Sequence, residues 1–167
     1  MEIPVGTEEI ITQLEPSQIW WTIFWVLVLT VLSAFFAGSE TALTGASRSK
    51  MHTLAKSGDW RAKIVVKIRH DSENLIATIL LVNTLLNILA SSLTTSLFLN
   101  LFGHHGILYA TVIMTALILI FAEVLPKTIA INNADNASLL FAAPMRFLMF
   151  IFSPITALVR ATVKRSL

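Results

Sequence analysis

Forty-nine consecutive residues, Asn74 to Ala122, contain no Asp, Glu, Lys or Arg. A water-soluble domain built from 167 residues has too little interior to hide such a run. A bilayer crossing takes about 20 apolar residues as a helix, so the run is long enough for two. Turn residues stand at its centre: Asn100, Gly103, His104, His105 and Gly106. Two spans joined by a tight loop are therefore expected, near 75–101 and 107–129, the second ending irregularly at Glu123, Pro126 and Lys127.

A second uncharged stretch runs from Ile19 to Gly38. As an α-helix it covers about 30 Å, the depth of a hydrocarbon core, and a span over about 19–42 is expected. Trp20, Trp21 and Trp25 at its start suit a membrane interface. Residues 1–18 hold no Lys or Arg, which argues against a signal peptide. Composition agrees: hydrophobic residues make up 55% and charged residues 13%, against about 25% charged in globular domains. A soluble enzyme, a disordered tail and a disulfide-stapled secreted domain are therefore not expected. With no cysteine, disulfides and thiolate metal sites are excluded too.

A fourth apolar region, Leu139–Val159, is interrupted by Pro144, Arg146 and Pro154. Proline removes a backbone donor that lipid cannot replace, so broken helices lying at the interface or packed across the bundle are expected here. A full fourth crossing is the lesser alternative. The fold class expected is thus an all-α membrane protein with three transmembrane helices.

Charge distribution orients these spans. Residues 1–18 carry four Glu, whereas 48–70 carry Arg48, Lys50, Lys56, Arg61, Lys63, Lys67 and Arg69 against Asp59 alone. The C-terminal end adds Arg160, Lys164 and Arg165. Three crossings with the N-terminus outside put both basic segments in the cytoplasm of a plasma (inner) membrane. Within 48–70, apolar residues recur at helical spacing and Gly58 marks a break, as expected of two short amphipathic helices on an anionic inner leaflet. That reading accounts for the positive charge without nucleic acid.

Polar residues at membrane depth point to function. Asn83, Asn87, Ser91 and Thr94 fall within an arc of about 80° on one helix face. On this helix alone the stripe serves equally as interhelical hydrogen-bond glue or as a ligand site. Glu123 stands beside a backbone carbonyl, that of Ala122, which Pro126 cannot satisfy, a pairing that coordinates cations in transporters. Pairing of Glu123 with Lys127 one turn on is the alternative. The first span contributes Ser33, Gly38 and Ser39; Ser33 and Ser39 share a site only if the helix bends, for which Gly38 is the candidate. Counted from the outer ends, Ser33 and Glu123 lie about 21 and 24 Å deep. Such a donor set is all oxygen and suits Mg²⁺, Ca²⁺ or Na⁺. No span carries a histidine base, so a serine hydrolase is not expected, and His104 and His105 read as loop residues.

Three strings in order, AGSETALTGASRSKMHTLAKSGDWRAKIV, LIATILLVNTLLNILASSLTT and ILIFAEVLPKTIA, resemble the transmembrane domain of the CorC/CNNM (cyclin M) magnesium transporters. The likeness runs from about Val26 to Val159. It implies a homodimer whose subunits each have three transmembrane helices, a helical hairpin after the first and a broken juxtamembrane helical belt over about 136–162 after the third, and which moves Mg²⁺ through an inward-open cavity in exchange for Na⁺. Carried over by motif, the ligands fall on Ser33, Ser39, Asn83, Asn87 and Glu123, with Gly38, Ser91, Ala122 and Pro126 as further cavity-lining positions. Ser39 enters through this resemblance. Where the family has an Asn pair, this chain has Asn83-Thr84, one amide fewer. Family members continue into cytoplasmic CBS domains that bind ATP; the chain ends at Leu167, so nucleotide regulation is not expected of it. A magnesium sensor or scaffold that binds the ion without moving it is the alternative function.

Overall fold

In the computed structural model the described residues are 15–166, with side chains through Leu158. Most of the N-terminal segment expected outside the membrane lies beyond them. The described chain is helical throughout. Helix α1 (Pro16–Gly45) opens with proline, whose missing N–H costs nothing in a first turn. Two short helices follow, α2 (Arg48–Lys56) and α3 (Trp60–His70), then α4 (Ser72–Phe102). Helix α5 (Gly106–Leu117) runs through a π turn (Ile118–Val124) into α6 (Leu125–Asn132), and α7 (Ala134–Ser166) ends the described chain.

Local chemistry explains the breaks. Gly58, at a φ of 104°, turns the chain between α2 and α3 in a region that favours glycine. Asp59 then caps α3, its carboxylate accepting from the Arg61 N–H at 2.8 Å. Gly103, at a φ of 59°, ends α4, and α5 folds back against it. Close approach is demanded at Gly106: a Cβ there would stand 2.1 Å from the carbonyl oxygen of Phe98.

By length and composition, three helical stretches are apolar enough to cross a membrane: Pro16–Gly45, Ser72–Asn132 and Ala134–Leu158. The second holds 61 residues and doubles back at Gly103, so it contains both expected spans. The third occupies the place of the expected belt, and here structure and expectation differ. Pro144 and Pro154 do not break the helix; both lie inside α7. Each forfeits a single intrahelical hydrogen bond, and burial of Ala142, Met145 and Met149 holds the segment in place across the first proline.

The main core gathers where α1, α2, α3, α4 and α7 meet, around Phe36, Leu43, Met51, Val65, Leu75 and Met145. A second, smaller cluster of Val26, Ala90 and Met114 joins α1, α4 and α5. Two polar ties reinforce α7. Thr156 donates to the Asn74 side-chain oxygen at 2.6 Å inside the core. Asp135 accepts from the Ser47 N–H at 2.8 Å and pairs with Lys50 at 3.0 Å.

Candidate cation site

Helix α1 packs along α4, and this pairing buries Ser33 completely. Its hydroxyl faces two amides one turn apart on α4: Ser33 Oγ contacts Asn83 Oδ1, and Asn87 Oδ1 at 2.8 Å. A serine hydroxyl has one proton to donate. Three oxygens therefore converge with a single proton between them, leaving an excess of lone pairs at the α1–α4 contact.

The remaining stripe residues turn elsewhere. Thr94 is buried, donating to the Ala90 carbonyl at 2.9 Å and meeting Met114 Sδ at 3.1 Å. Ser91, one turn beyond Asn87, lines a groove of about 390 Å³ between α4 and α5. Thr95, Thr111 and Thr115 line the same groove, and Glu123 lies at its end. Each of these threonines donates its proton to a backbone carbonyl four residues back, so what its hydroxyl offers the groove is lone pairs.

Glu123 belongs to the π turn. There the Leu125 N–H reaches back five residues to the Ile120 carbonyl, and Pro126, next in line, has no N–H to give. Ala122 beside Glu123 is fully buried. Among the described residues no hydrogen bond or ion pair engages the Glu123 carboxylate. Lys127 does not take that role: its ammonium pairs with Glu40 of α1 at 3.7 Å. The irregular turn expected at Glu123, Pro126 and Lys127 thus takes the form of a π turn that begins earlier, at Ile118, which Pro126 alone does not signal.

Ser39 stands apart from this cluster. Helix α1 is continuous through Gly38, and Ser39 Oγ donates to the Phe36 carbonyl at 2.8 Å while touching Met145 Sδ at 3.4 Å. Gly38 instead faces α6, where an added Cβ would meet the Pro126 carbonyl oxygen at 3.5 Å. The structure thus joins Ser33, Asn83 and Asn87 directly, places Ser91 with Glu123 and Gly38 with Pro126, and turns Ser39 toward α7.

No cluster of three His, Asp or Glu occurs among the described residues. Amide and hydroxyl oxygens suit a hard cation that keeps part of its water, and the carboxylate of Glu123 stands in the α4–α5 groove with Ser91. Residues 23–167 match the family described as the cyclin M transmembrane N-terminal domain. The chain belongs to that family. The inner membrane protein YfjD of Escherichia coli is 40% identical over 121 residues, 71% of this chain and 28% of the relative. A Haemophilus influenzae protein is 34% identical over 144 residues, 86% of this chain and 34% of its own length. The metal transporter cnnm-4 of Caenorhabditis elegans is 28% identical over 161 residues, 93% of this chain and 33% of the relative. This cyclin M domain thus spans about a third of the length of the curated relatives it matches, and it is a multi-pass membrane protein.

Proposed function

We propose that this chain is the membrane domain of a Mg²⁺ transporter that exports the ion in exchange for Na⁺, acting as a homodimer with its N-terminus outside. The observation that carries the reading is the convergence of Ser33, Asn83 and Asn87 oxygens on one proton. A carboxylate without a partner at membrane depth costs about 2.5–3.5 kcal/mol, so Glu123 supplies the charge that would draw a cation in. Membership in a family with a metal transporter among its members supports cargo of this kind.

The Ser33 proton is held against the two amide oxygens. Cation entry requires that hydroxyl to rotate so that its lone pair, with the freed Asn83 and Asn87 oxygens, faces the ion. Mg²⁺ surrenders water reluctantly, so these neutral oxygens are expected to hold a partly hydrated ion, with Glu123 neutralising part of its charge. Na⁺ accepts the same oxygen donors, which allows exchange through one site. Ser39 contributes to the ligand set only in a state where it leaves Met145, since α1 directs it to α7 here.

Calorimetric titration of Mg²⁺ into the protein in detergent, beside Asn87→Ala and Glu123→Gln, tests the site. Saturable binding that both substitutions abolish supports it; binding that survives both makes the Ser33–Asn cluster helix glue. Mg²⁺ flux in proteoliposomes then separates a transporter from a sensor that binds without moving the ion.

A further inference from the structure

We propose that the cleft between α2 and α3 is a phosphate-binding site, in which Arg48 and Arg69, with His52 and His70, hold the phosphate group of an anionic lipid or of a soluble phosphate compound. The cleft measures about 160 Å³ and is lined by Arg48, Met51, His52, Val66, Arg69 and His70. Four of these six residues carry nitrogen donors, and none is Asp or Glu. Met51 and Val66 supply its apolar wall, so the donors work beside low-dielectric surface where charge-assisted bonds strengthen.

The two guanidinium groups are brought together by the fold. Arg69 is half-buried and donates to the Ala46 carbonyl just past the end of α1, which fixes its guanidinium. Burial first, and the charge of Arg48 second, push the Arg69 pKa down from its ordinary value, so like charge bears on Arg69 from Arg48. A bound dianion or monoanion relieves that repulsion. Guanidinium forks match phosphate oxygens geometrically, and imidazole N–H groups add further donors. Other basic side chains of this region are differently engaged: Lys50 pairs with Asp135 and Arg61 with Asp59.

Position favours such a ligand. The charge bias that orients the spans puts α2 and α3 on the cytoplasmic side, where anionic headgroups are present. Through the Ala46 carbonyl, an occupant of the cleft would also brace the end of the helix that carries Ser33. The proposal does not depend on the cation reading.

The test uses the full chain in neutral detergent, with dioctanoyl phosphatidic acid, dioctanoyl phosphatidylcholine and inorganic phosphate as probes and native mass spectrometry counting what is bound. One phosphatidic acid per chain is expected, in clear preference to phosphatidylcholine. Arg48→Gln, at an exposed position, is expected to weaken it about tenfold, the loss of one charged hydrogen bond. His52→Gln should weaken it to a lesser degree. A Lys63→Gln, Lys67→Gln double variant removes more charge from α3 outside the cleft and should leave affinity within about twofold. Equal competition by inorganic phosphate identifies the phosphate group alone as the ligand; binding of the lipid but not of inorganic phosphate identifies the headgroup in its membrane. Affinity untouched by Arg48→Gln and His52→Gln, or lost as fully in the lysine double variant, overturns the proposal. Because Arg69 also closes α1, its substitution is not the deciding variant.

Discussion

Ser33 has one proton and two amide oxygens to satisfy, and that imbalance governs what its removal does. Ser33→Ala leaves both acceptors without their donor in a partly buried contact. Stability should fall by about 1–3 kcal/mol, measured by thermal unfolding in detergent. Saturating Mg²⁺ should recover part of this loss if the amide oxygens then face the ion, because a ligand that binds only the folded state stabilises it. Lys127 gives a contrasting case. Its partner is Glu40, both side chains are more than a third exposed or nearly so, and such pairs contribute about 0.2–1 kcal/mol. Lys127→Met should therefore change stability little and leave Mg²⁺ affinity unchanged in calorimetry. A large gain in affinity would mean that Lys127 had been neutralising Glu123 after all.

The π turn at 118–124 is the element that sets the direction of Glu123. One extra residue in a helical turn rotates everything beyond it by about 100° relative to a regular helix. Pro126→Ala restores the missing N–H and should let the segment settle into α-helical register, raising the melting temperature while abolishing Mg²⁺ binding. A variant that melts higher yet binds normally would show that the turn is not needed for the site. Two glycines behave oppositely. An alanine at Gly38 makes contact with Pro126 at an ordinary 3.5–3.6 Å, so it should fold and melt within about 1 kcal/mol of the parent. Gly106→Ala drives a methyl into the Phe98 backbone at 2.1 Å and should cost about 1–3 kcal/mol or more, seen as lost yield and a lower melting temperature.

Across the whole molecule, the junction after α1 is tied to α7 by Asp135. Its carboxylate accepts from the Ser47 N–H at 2.8 Å and pairs with Lys50 at 3.0 Å, at a partly exposed position. Asp135→Asn keeps an acceptor for the Ser47 N–H but loses the ion pair, so stability at neutral pH should fall by about 0.2–1 kcal/mol, measured by thermal unfolding in detergent.

Much of this was legible in the residues themselves. An uncharged run of 49 residues with Gly103 at its centre can satisfy its backbone in lipid only as paired helices, and glycine alone tolerates the turn that results. Helical periodicity likewise put Asn83 and Asn87 on one face, because positions four apart coincide on any α-helix. What faces that stripe is a different matter. The meeting of Ser33 with two amides 50 and 54 residues away depends on how α1 lies along α4, and no local spacing encodes it. Register between helices also decided that Lys127 meets Glu40 instead of Glu123, and that Ser39 turns to Met145. The unbroken course of α7 through two prolines follows the same logic, since burial across the core outweighed a local preference to break. Sequence determined which segments are helical and which faces are polar, through interactions within one or two turns; tertiary structure alone decided which polar groups meet, because that rests on packing between segments far apart in the chain.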